Sequence, residues 1–416
     1  MTGRGKRPAA GGVALLVVLA ATATTLAAGA LVKLPCAGGD WSDGRQYRRL
    51  CYSDIVPLYG TEHLQGGRLP YLDPCPATSV GQCDEYPVLT MYFMRLAAWA
   101  AHGYGPFFWA NAALLGALAV ATAWMLFVLA GERAFYFAVA PTLLVYAFVN
   151  WDLLAVALAT AGTLFYVRDR DELSGAMLGL GAAAKVYPAL LVIPFVLGRI
   201  RQRRAAGAVS LVVWAGIAFA GVNAPFALVA RHEWLTFFRF NADRVADFDS
   251  LWYLACRPLH RGCGLSPRSI DTYSLLVMAI VVAGLWWARR ARQPNFPRWS
   301  FGFPLLVTLL LVNKVYSPQY GLWLLPWFVL AMRNLPLFAA FEAADLAVFV
   351  TRFTWFGRLQ GLGGAPLGAF QVALAVRAAV LVACLVAWVL QGKEEIAPAP
   401  DRSAAPALLE PESRTA

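Results

Sequence analysis

Lys185 stands alone in AAAKVYPALL, a single cation between two apolar stretches. An ionisable group at membrane depth costs about 2.5–3.5 kcal/mol on insertion scales, so a functional role is its default reading. Similar isolated polar sets recur along the chain: Asn150, Trp151 and Asp152; Asn313, Lys314, Ser317, Gln319 and Tyr320 in NKVYSPQYGLWLLPW; and Arg352 with Arg358. Two longer stretches gather acids and arginines among aromatic residues. The first, GGDWSDGRQYRRLCYSDIVPLYG with GGRLPYLD and EYPVL, offers Asp40, Asp43, Asp54, Asp73, Asp84 and Glu85. The second, FFRFNADRVADFDSLWYL, offers Arg239, Arg244, Asp247, Asp249 and Ser250. Cations of this kind pair with a phosphate, and a carboxylate takes a proton from a hydroxyl. The Trp, Tyr and Phe between them suit a membrane–water interface and stacking on sugar rings.

What must position these residues is a set of apolar helices. The chain has 416 residues, 59% hydrophobic and 14% charged, with mean hydropathy +0.57. That excludes an ordinary cytosolic enzyme, a secreted disulfide mini-domain and a disordered chain. The expected fold is an all-α polytopic membrane protein, because lipid satisfies no open backbone. Spans are expected near 13–34, 106–130, 135–150, 152–167, 173–184, 186–198, 207–230, 271–288, 300–313, 319–332, 335–352 and 369–391. Several are shorter than the roughly 20 residues that cross upright, so broken or re-entrant helices are expected among these about twelve. Residues 88–102 fit an interfacial helix or a further half-span.

Charge sets the orientation. Arg4, Lys6 and Arg7 precede the first span, and Arg133, Arg168, Arg170, Arg199, Arg201, Arg203, Arg204, Arg289, Arg290, Arg292, Arg298, Arg333 and Lys393 fall in alternate turns. The positive-inside rule makes those turns cytoplasmic, and this topology is the first explanation of the +11 net charge. Residues 1–12 are then a cytoplasmic N-terminus, 13–392 the membrane domain with long outer loops at 35–87 and 231–270, and 393–416 a disordered cytoplasmic tail. A cleaved signal peptide competes for the first span, but its apolar stretch should run only about 7–15 residues. Cys36, Cys51, Cys75, Cys83, Cys256 and Cys263 all lie in the outer loops, and only Cys384 in a span. An even set there suggests disulfides, Cys256–Cys263 and two in the first loop, although spacing does not fix the pairing. No metal-ligand spacing appears, and neither a cofactor nor a nucleic acid is expected.

Under this threading the polar sets converge at the outer face, where a sugar carried on a lipid phosphate is the natural donor, since nucleotide sugars are cytoplasmic. YSDIVPLYG, GGRLPYLD, EYPVL, WDLLAVAL, AAAKVYPALLVIPF, FNADRVADFDSLW and NKVYSPQYGLWLLPW occur in that order over about residues 50–330. Together they resemble the polyprenyl-phosphate-mannose-dependent mannosyltransferases of the GT-C class, and more narrowly glycosyltransferase family 87, the actinobacterial phosphatidylinositol-mannoside and lipomannan α-mannosyltransferases.

The resemblance implies a GT-C-like bundle and an inverting mannosyl transfer to a lipid-linked or glycan acceptor. It implies Asp54 as catalytic base, with Lys185, Arg244 and Lys314 on the donor phosphate. It further implies substrate contacts from Tyr59, Arg68, Asp152, Asp249, Ser250, Ser317, Gln319 and Tyr320. Some relatives carry a histidine near the last turn, where this chain has none. The first-loop cysteines are more elaborate than the family pattern requires.

Plainer readings stand beside these. Asp54 is one of several acids in its loop, and Asp40 and Asp43 suit helix capping better than catalysis. Lys185 could snorkel to the interface, Arg244 could form a loop salt bridge, and Asp152 could cap a helix. Asn150 and Gln319 suit helix packing. Rival functions are a secondary transporter, which would set polar groups near the midplane within repeated halves, a scaffold protein, and a transferase of arabinose or another sugar.

Overall fold

The computed structural model describes residues 7–76, 83–256 and 264–392. Arg4, Lys6, Cys263, Lys393 and the expected tail lie outside the described residues. Within them the chain is helical, with no strand. The long elements are α1 (Arg7–Lys33), α2 (Tyr104–Ala130), α3 (Asp152–Val167), α4 (Asp171–Ala184), α5 (Pro188–Arg201), α6 (Ala205–Val229), α7 (Pro267–Arg292), α8 (Gly302–Val312), α9 (Leu325–Ala331), α10 (Leu335–Leu359) and α11 (Leu367–Leu390). Val88–Ala100 forms the extra short helix expected before α2.

Among the described residues, five helical stretches are long and apolar enough to cross a membrane: Gly11–Cys36, Tyr104–Ala138, Ala205–Val229, Pro267–Arg292 and Leu367–Leu390. Most of the remaining passes are short or broken, as their lengths implied, while α10 runs unbroken for 25 residues and carries Glu342, Asp345, Arg352 and Arg358. The stretch expected at 135–150 divides into Phe135–Ala138 and Pro141–Tyr146, because Pro141 brings no N–H to continue the ladder. The stretch expected at 319–332 opens as a 3₁₀ turn, Pro318–Trp323, before α9. α4 and α5, with 14 residues each, rise only about 21 Å. Their hairpin therefore turns short of the roughly 30 Å hydrocarbon thickness, and the tip stays among its neighbours.

Packing is close where side chains are small. Gly175 and Gly179 lie one turn apart on α4 and face the Leu211 and Ala215 backbone of α6, with no room for a Cβ. Such small-xxx-small faces let membrane helices approach closely. Helix starts follow their sequence signals. Ser266 accepts the Ser269 N–H at 3.1 Å before Pro267, and Asn334 accepts the Leu337 N–H at 3.0 Å before α10, both satisfying first-turn donors.

The two ends of the bundle differ. The arginine end carries Arg199, which bonds Asp171 at 2.6 Å and the Tyr166 carbonyl at 2.6 Å, and Arg289, which reaches the Trp388 carbonyl at 2.9 Å. The loop end carries both long loops and the disulfides Cys36–Cys51 and Cys75–Cys83. Cys256 is disulfide-bonded, while Cys384 is free and buried.

Candidate active site

Asp54 owes its place to a clip between distant segments. Its N–H donates to the Val149 carbonyl at 2.8 Å, and the neighbouring Ser53 hydroxyl donates to the Phe148 carbonyl at 2.7 Å. These bonds pin the loop beside the turn that ends in Asn150. Both carboxylate oxygens are then held: the Tyr52 hydroxyl donates to Oδ1 at 2.7 Å, and Asn150 Nδ2 to Oδ2 at 2.8 Å. Enclosure, with the Asp54 charge beside it, pushes the Tyr52 phenol well above its ordinary range, so Tyr52 stays protonated and donates. Lys33, at the end of α1, fixes Tyr52 by donating to its carbonyl at 2.8 Å. A carboxylate offers about four lone-pair directions, so Asp54, half-buried, retains capacity to accept a substrate hydroxyl.

Lys185 faces the same turn. Pro188 cannot supply the N–H that would extend α4, so the chain leaves the helix at Lys185 with φ −150° and ψ 136°. The Ala184 carbonyl accepts the Thr90 hydroxyl at 2.7 Å. Lys185 Nζ lies 3.4 Å from Asn150 Oδ1 and 3.6 Å from Asp152 Oδ1. It also lies 4.9 Å and 5.6 Å from the ring centres of Tyr86 and Tyr320. Trp323 Nε1 orients Asp152 with a 2.7 Å bond to Oδ1, while Asp152 Oδ2 is buried without a hydrogen-bond partner among the described residues. Tyr320, Trp323 and Tyr187 stack with centroid spacings of 4.0 and 4.2 Å. Asn150 thus joins the acid to the cation through one amide, with its Nδ2 also 2.7 Å from the Tyr86 hydroxyl.

An apolar cleft of about 330 Å³ begins beside this cation. Val186 and Pro87, the residues after Lys185 and Tyr86, line it together with Ala182, Ala215, Phe219 and Phe237.

The second loop builds an adjoining cluster. Arg244 Nη2 donates to Asp247 Oδ2 at 3.1 Å, and its charge reaches Tyr320. Arg352 Nε lies 2.9 Å from Asp249 Oδ2, and its charge reaches Tyr52 and Asp54. The Ser250 hydroxyl donates to the Asp247 carbonyl at 2.8 Å and shapes the turn. Deeper in the bundle, Arg377 pairs with Asp345 at 3.0 Å and reaches the Asp249 carbonyl at 3.4 Å. Lys314 Nζ bonds Asp271 Oδ2 at 2.8 Å and the Ala242 carbonyl at 3.0 Å, tying the second loop to α7.

Thus Asp54, Lys185, Asp152 and Tyr320 come together, with Arg244, Asp249 and Ser250 alongside. Ser317 hydrogen-bonds Tyr320 and supports it, and Gln319 is buried in the same 3₁₀ turn. Tyr59 and Arg68 stand apart. Tyr59 stacks on Phe107 at 4.5 Å and accepts the Gly103 N–H at 3.1 Å. Arg68 is enclosed with Asp84 and with Glu62 at 3.6 Å, bracing the first loop. Asp43 accepts the Arg45 N–H at 3.0 Å from one residue before the N-cap, Gly44, of a short helix, so the N-cap position expected of an acid is held by glycine instead. Sequence reasoning gave little weight to Asn150 and did not single out Tyr52, Tyr86, Trp323 or Lys33. Asn150 and Tyr52 carried a usable signal, being polar residues within two positions of a candidate acid. Among the described residues no three His, Cys, Asp or Glu side chains converge to hold a metal ion.

Glycosyltransferase family 87 is the family whose model matches the chain, over residues 85–318. No curated protein matches it in sequence. Among solved structures, a similar one is the crystal structure of ArnT from Cupriavidus metallidurans bound to undecaprenyl phosphate. It is 14% identical, with 88% of this chain and 76% of that chain covered and a TM-score of 0.44.

Proposed function

Because this chain belongs to glycosyltransferase family 87, and is therefore a glycosyltransferase built into a membrane, we propose that it moves mannose from polyprenyl-phosphate mannose to a lipid-linked or glycan acceptor with inversion. The carrying observation is the convergence of Asp54 and Lys185 on the Asn150 amide, at 2.8 and 3.4 Å. One side supplies a base and the other a cation, the two demands of a displacement with a phosphate leaving group. The apolar cleft that starts at Val186 and Pro87 gives a prenyl chain a path from the phosphate position into lipid. The disulfides at the loop end and the arginines at the other support an exterior-facing site, since oxidising compartments preserve disulfides and positive turns stay inside.

In this reading the acceptor hydroxyl gives its proton to Asp54, and its oxygen forms a bond to the anomeric carbon. The bond from that carbon to the phosphate oxygen breaks, its electron pair leaving with the polyprenyl phosphate. A β-linked donor gives an α product. Lys185 and Arg244 balance the phosphate charge as it grows, while Lys314, held by Asp271, acts through the second loop it braces. Asp152, Asp249, Ser250 and the Ser317–Tyr320 turn hold the surrounding shape, and Tyr59 and Arg68 act through the loop they brace. A positioned base contributes about 10²–10⁴-fold, and electrostatic stabilisation of the leaving group usually contributes more.

The test uses full-length protein in detergent with labelled polyprenyl-phosphate mannose and a panel of acceptors. Wild type transfers label, and Asp54→Asn falls by at least about 10²-fold with unchanged yield. Full activity of Asp54→Asn overturns the assignment of the base. Equal transfer from a nucleotide sugar overturns the donor.

A further inference from the structure

Tyr86 stands where distant chain segments meet at the head of the apolar cleft. Pro87 and Val186 both line that cleft, and each follows a polar residue, Tyr86 in one segment and Lys185 in the other. Lys185 Nζ lies 4.9 Å from the Tyr86 ring centre. The ring meets Trp151 edge-on, with centroids 5.6 Å apart and planes at 76°. The Tyr71 hydroxyl donates to the Tyr86 carbonyl. Ring and backbone are both held, so the phenol oxygen is fixed in place.

The proton on that oxygen is unspent. Asn150 Nδ2 donates to the Tyr86 hydroxyl at 2.7 Å. The amide does not turn to accept instead, because its Oδ1 takes the Trp151 N–H at 2.7 Å. Tyr86 therefore accepts at Asn150, and its own O–H points elsewhere. Among the described residues it donates to nothing. Enclosure, and then the Asp54 charge, push the phenol well above its ordinary range, so it keeps this proton. Enclosed polar groups in native folds are normally satisfied, and one left open calls for a partner.

Its position relative to the base completes the argument. The hydrogens of Asn150 Nδ2 diverge, one to Asp54 Oδ2 at 2.8 Å and the other to Tyr86. Asp54 and Tyr86 are thereby set apart with a single amide between them. An in-line displacement places the attacking and leaving oxygens on opposite sides of one carbon. A base and a donor to the leaving oxygen must be divided in the same way.

We infer that Tyr86 is a further catalytic residue, whose O–H donates to the phosphate oxygen that leaves the anomeric carbon. This rests on the transferase reading above. As the carbon–oxygen bond breaks, its electron pair stays on that oxygen, which becomes a non-bridging oxygen of the polyprenyl phosphate. Tyr86 gives a hydrogen bond and keeps its proton, since the phosphate departs as an anion. The bond strengthens as charge grows on the oxygen, so it lowers the barrier more than it tightens the bound donor.

The test compares full-length wild type in nanodiscs with Tyr86→Phe, which keeps the ring beside Lys185 and Trp151. The probes are polyprenyl phosphate, polyprenyl-phosphate mannose, and polyprenol, which lacks the phosphate. Tyr86→Phe should weaken polyprenyl phosphate binding about tenfold or more, the scale of a hydrogen bond to a charged group. It should weaken polyprenyl-phosphate mannose less and leave polyprenol unchanged. In turnover, kcat should fall about 10²-fold while donor KM stays nearly constant. Tyr86→3-fluorotyrosine, a more acidic phenol of the same shape, should tighten polyprenyl phosphate, and it decides the matter even where the phenylalanine variant does not fold. Equal loss for polyprenol in Tyr86→Phe, which marks a packing role, overturns the inference. So does unchanged affinity for polyprenyl phosphate in both variants. Weakened polyprenyl phosphate binding in Tyr86→Phe, with no mannosyl transfer by wild type, overturns the transferase reading instead and leaves the phosphate contact standing.

Discussion

Asn150 orients Asp54: its Nδ2 donates to Asp54 Oδ2 at 2.8 Å across 96 residues of sequence. The same side chain accepts the Trp151 N–H at 2.7 Å, which locks the amide against flipping. Asn150→Ala therefore removes an orienting bond without touching substrate directly. Displacements of about 1 Å at a reacting group cost about 10²-fold, so kcat for transfer should fall between about 10- and 100-fold while donor KM shifts little. Steady-state kinetics at matched protein yield decide this. An unchanged kcat refutes the orienting role.

Lys185 and Asp152 form a buried pair at 3.6 Å, with Lys185 only 9% exposed. Removing one partner of a buried pair typically costs about 3–5 kcal/mol, whereas replacing both is often neutral. Lys185→Met should lower thermal stability and abolish transfer. Adding Asp152→Asn should restore much of the stability and none of the transfer. Recovery of activity in the double variant would show that the cation serves the fold alone. Lys185→Arg, which keeps the charge, should retain measurable donor binding.

The first loop carries its own pH response. Burial pushes the Glu62 carboxyl from 4.5 up to about 7, against the pull of the Asp84 N–H and Arg68. Between these values the folded protein holds a proton that the unfolded chain has released, so stability falls as pH rises from about 4.5 to about 7 and levels off above. Glu62→Gln should flatten that slope. Thermal unfolding followed from pH 5 to pH 8 reads the difference, and parallel curves for the two proteins would contradict it.

Arg377 and Asp345 pair at 3.0 Å deep between α11 and α10. Thr142 donates its hydroxyl to Asp345 at 3.2 Å and its N–H to Glu342 at 2.7 Å. Asp345→Ala strands the arginine in an apolar surround, and a loss of about 3–5 kcal/mol is expected. Because Arg377 also reaches the Asp249 carbonyl, the second loop should loosen with it. Hydrogen exchange at residues 247–250 would report this, and unchanged protection there would separate the pair from the site.

The helices were legible because hydropathy is a local property. A run such as that of α6 must be helical in lipid whatever surrounds it, since its backbone groups have no other partners. A break between 173–184 and 186–198 was legible at Lys185, whereas the break at Pro141 inside the stretch expected at 135–150 was not singled out, although a missing N–H ends a ladder in any context. Lys185 and Asp54 stood out in sequence as ionisable groups beside apolar or aromatic stretches. Asn150 did not, because an asparagine between two spans packs helices as often as it serves a site. Its role exists only through the distant segments it joins.

Composition, the length of apolar runs and the spacing of arginines determined that this protein is a helical membrane bundle with polar loops gathered at one end. Those features act within about twenty residues and need no knowledge of neighbours. Which carboxylate faces Lys185, that Arg68 braces a loop, and that the two oxygens of Asp54 divide between Tyr52 and Asn150 were decided by tertiary structure. Hydrogen-bond partners are chosen by distances of a few ångströms between segments far apart in the chain, and only folding sets those distances.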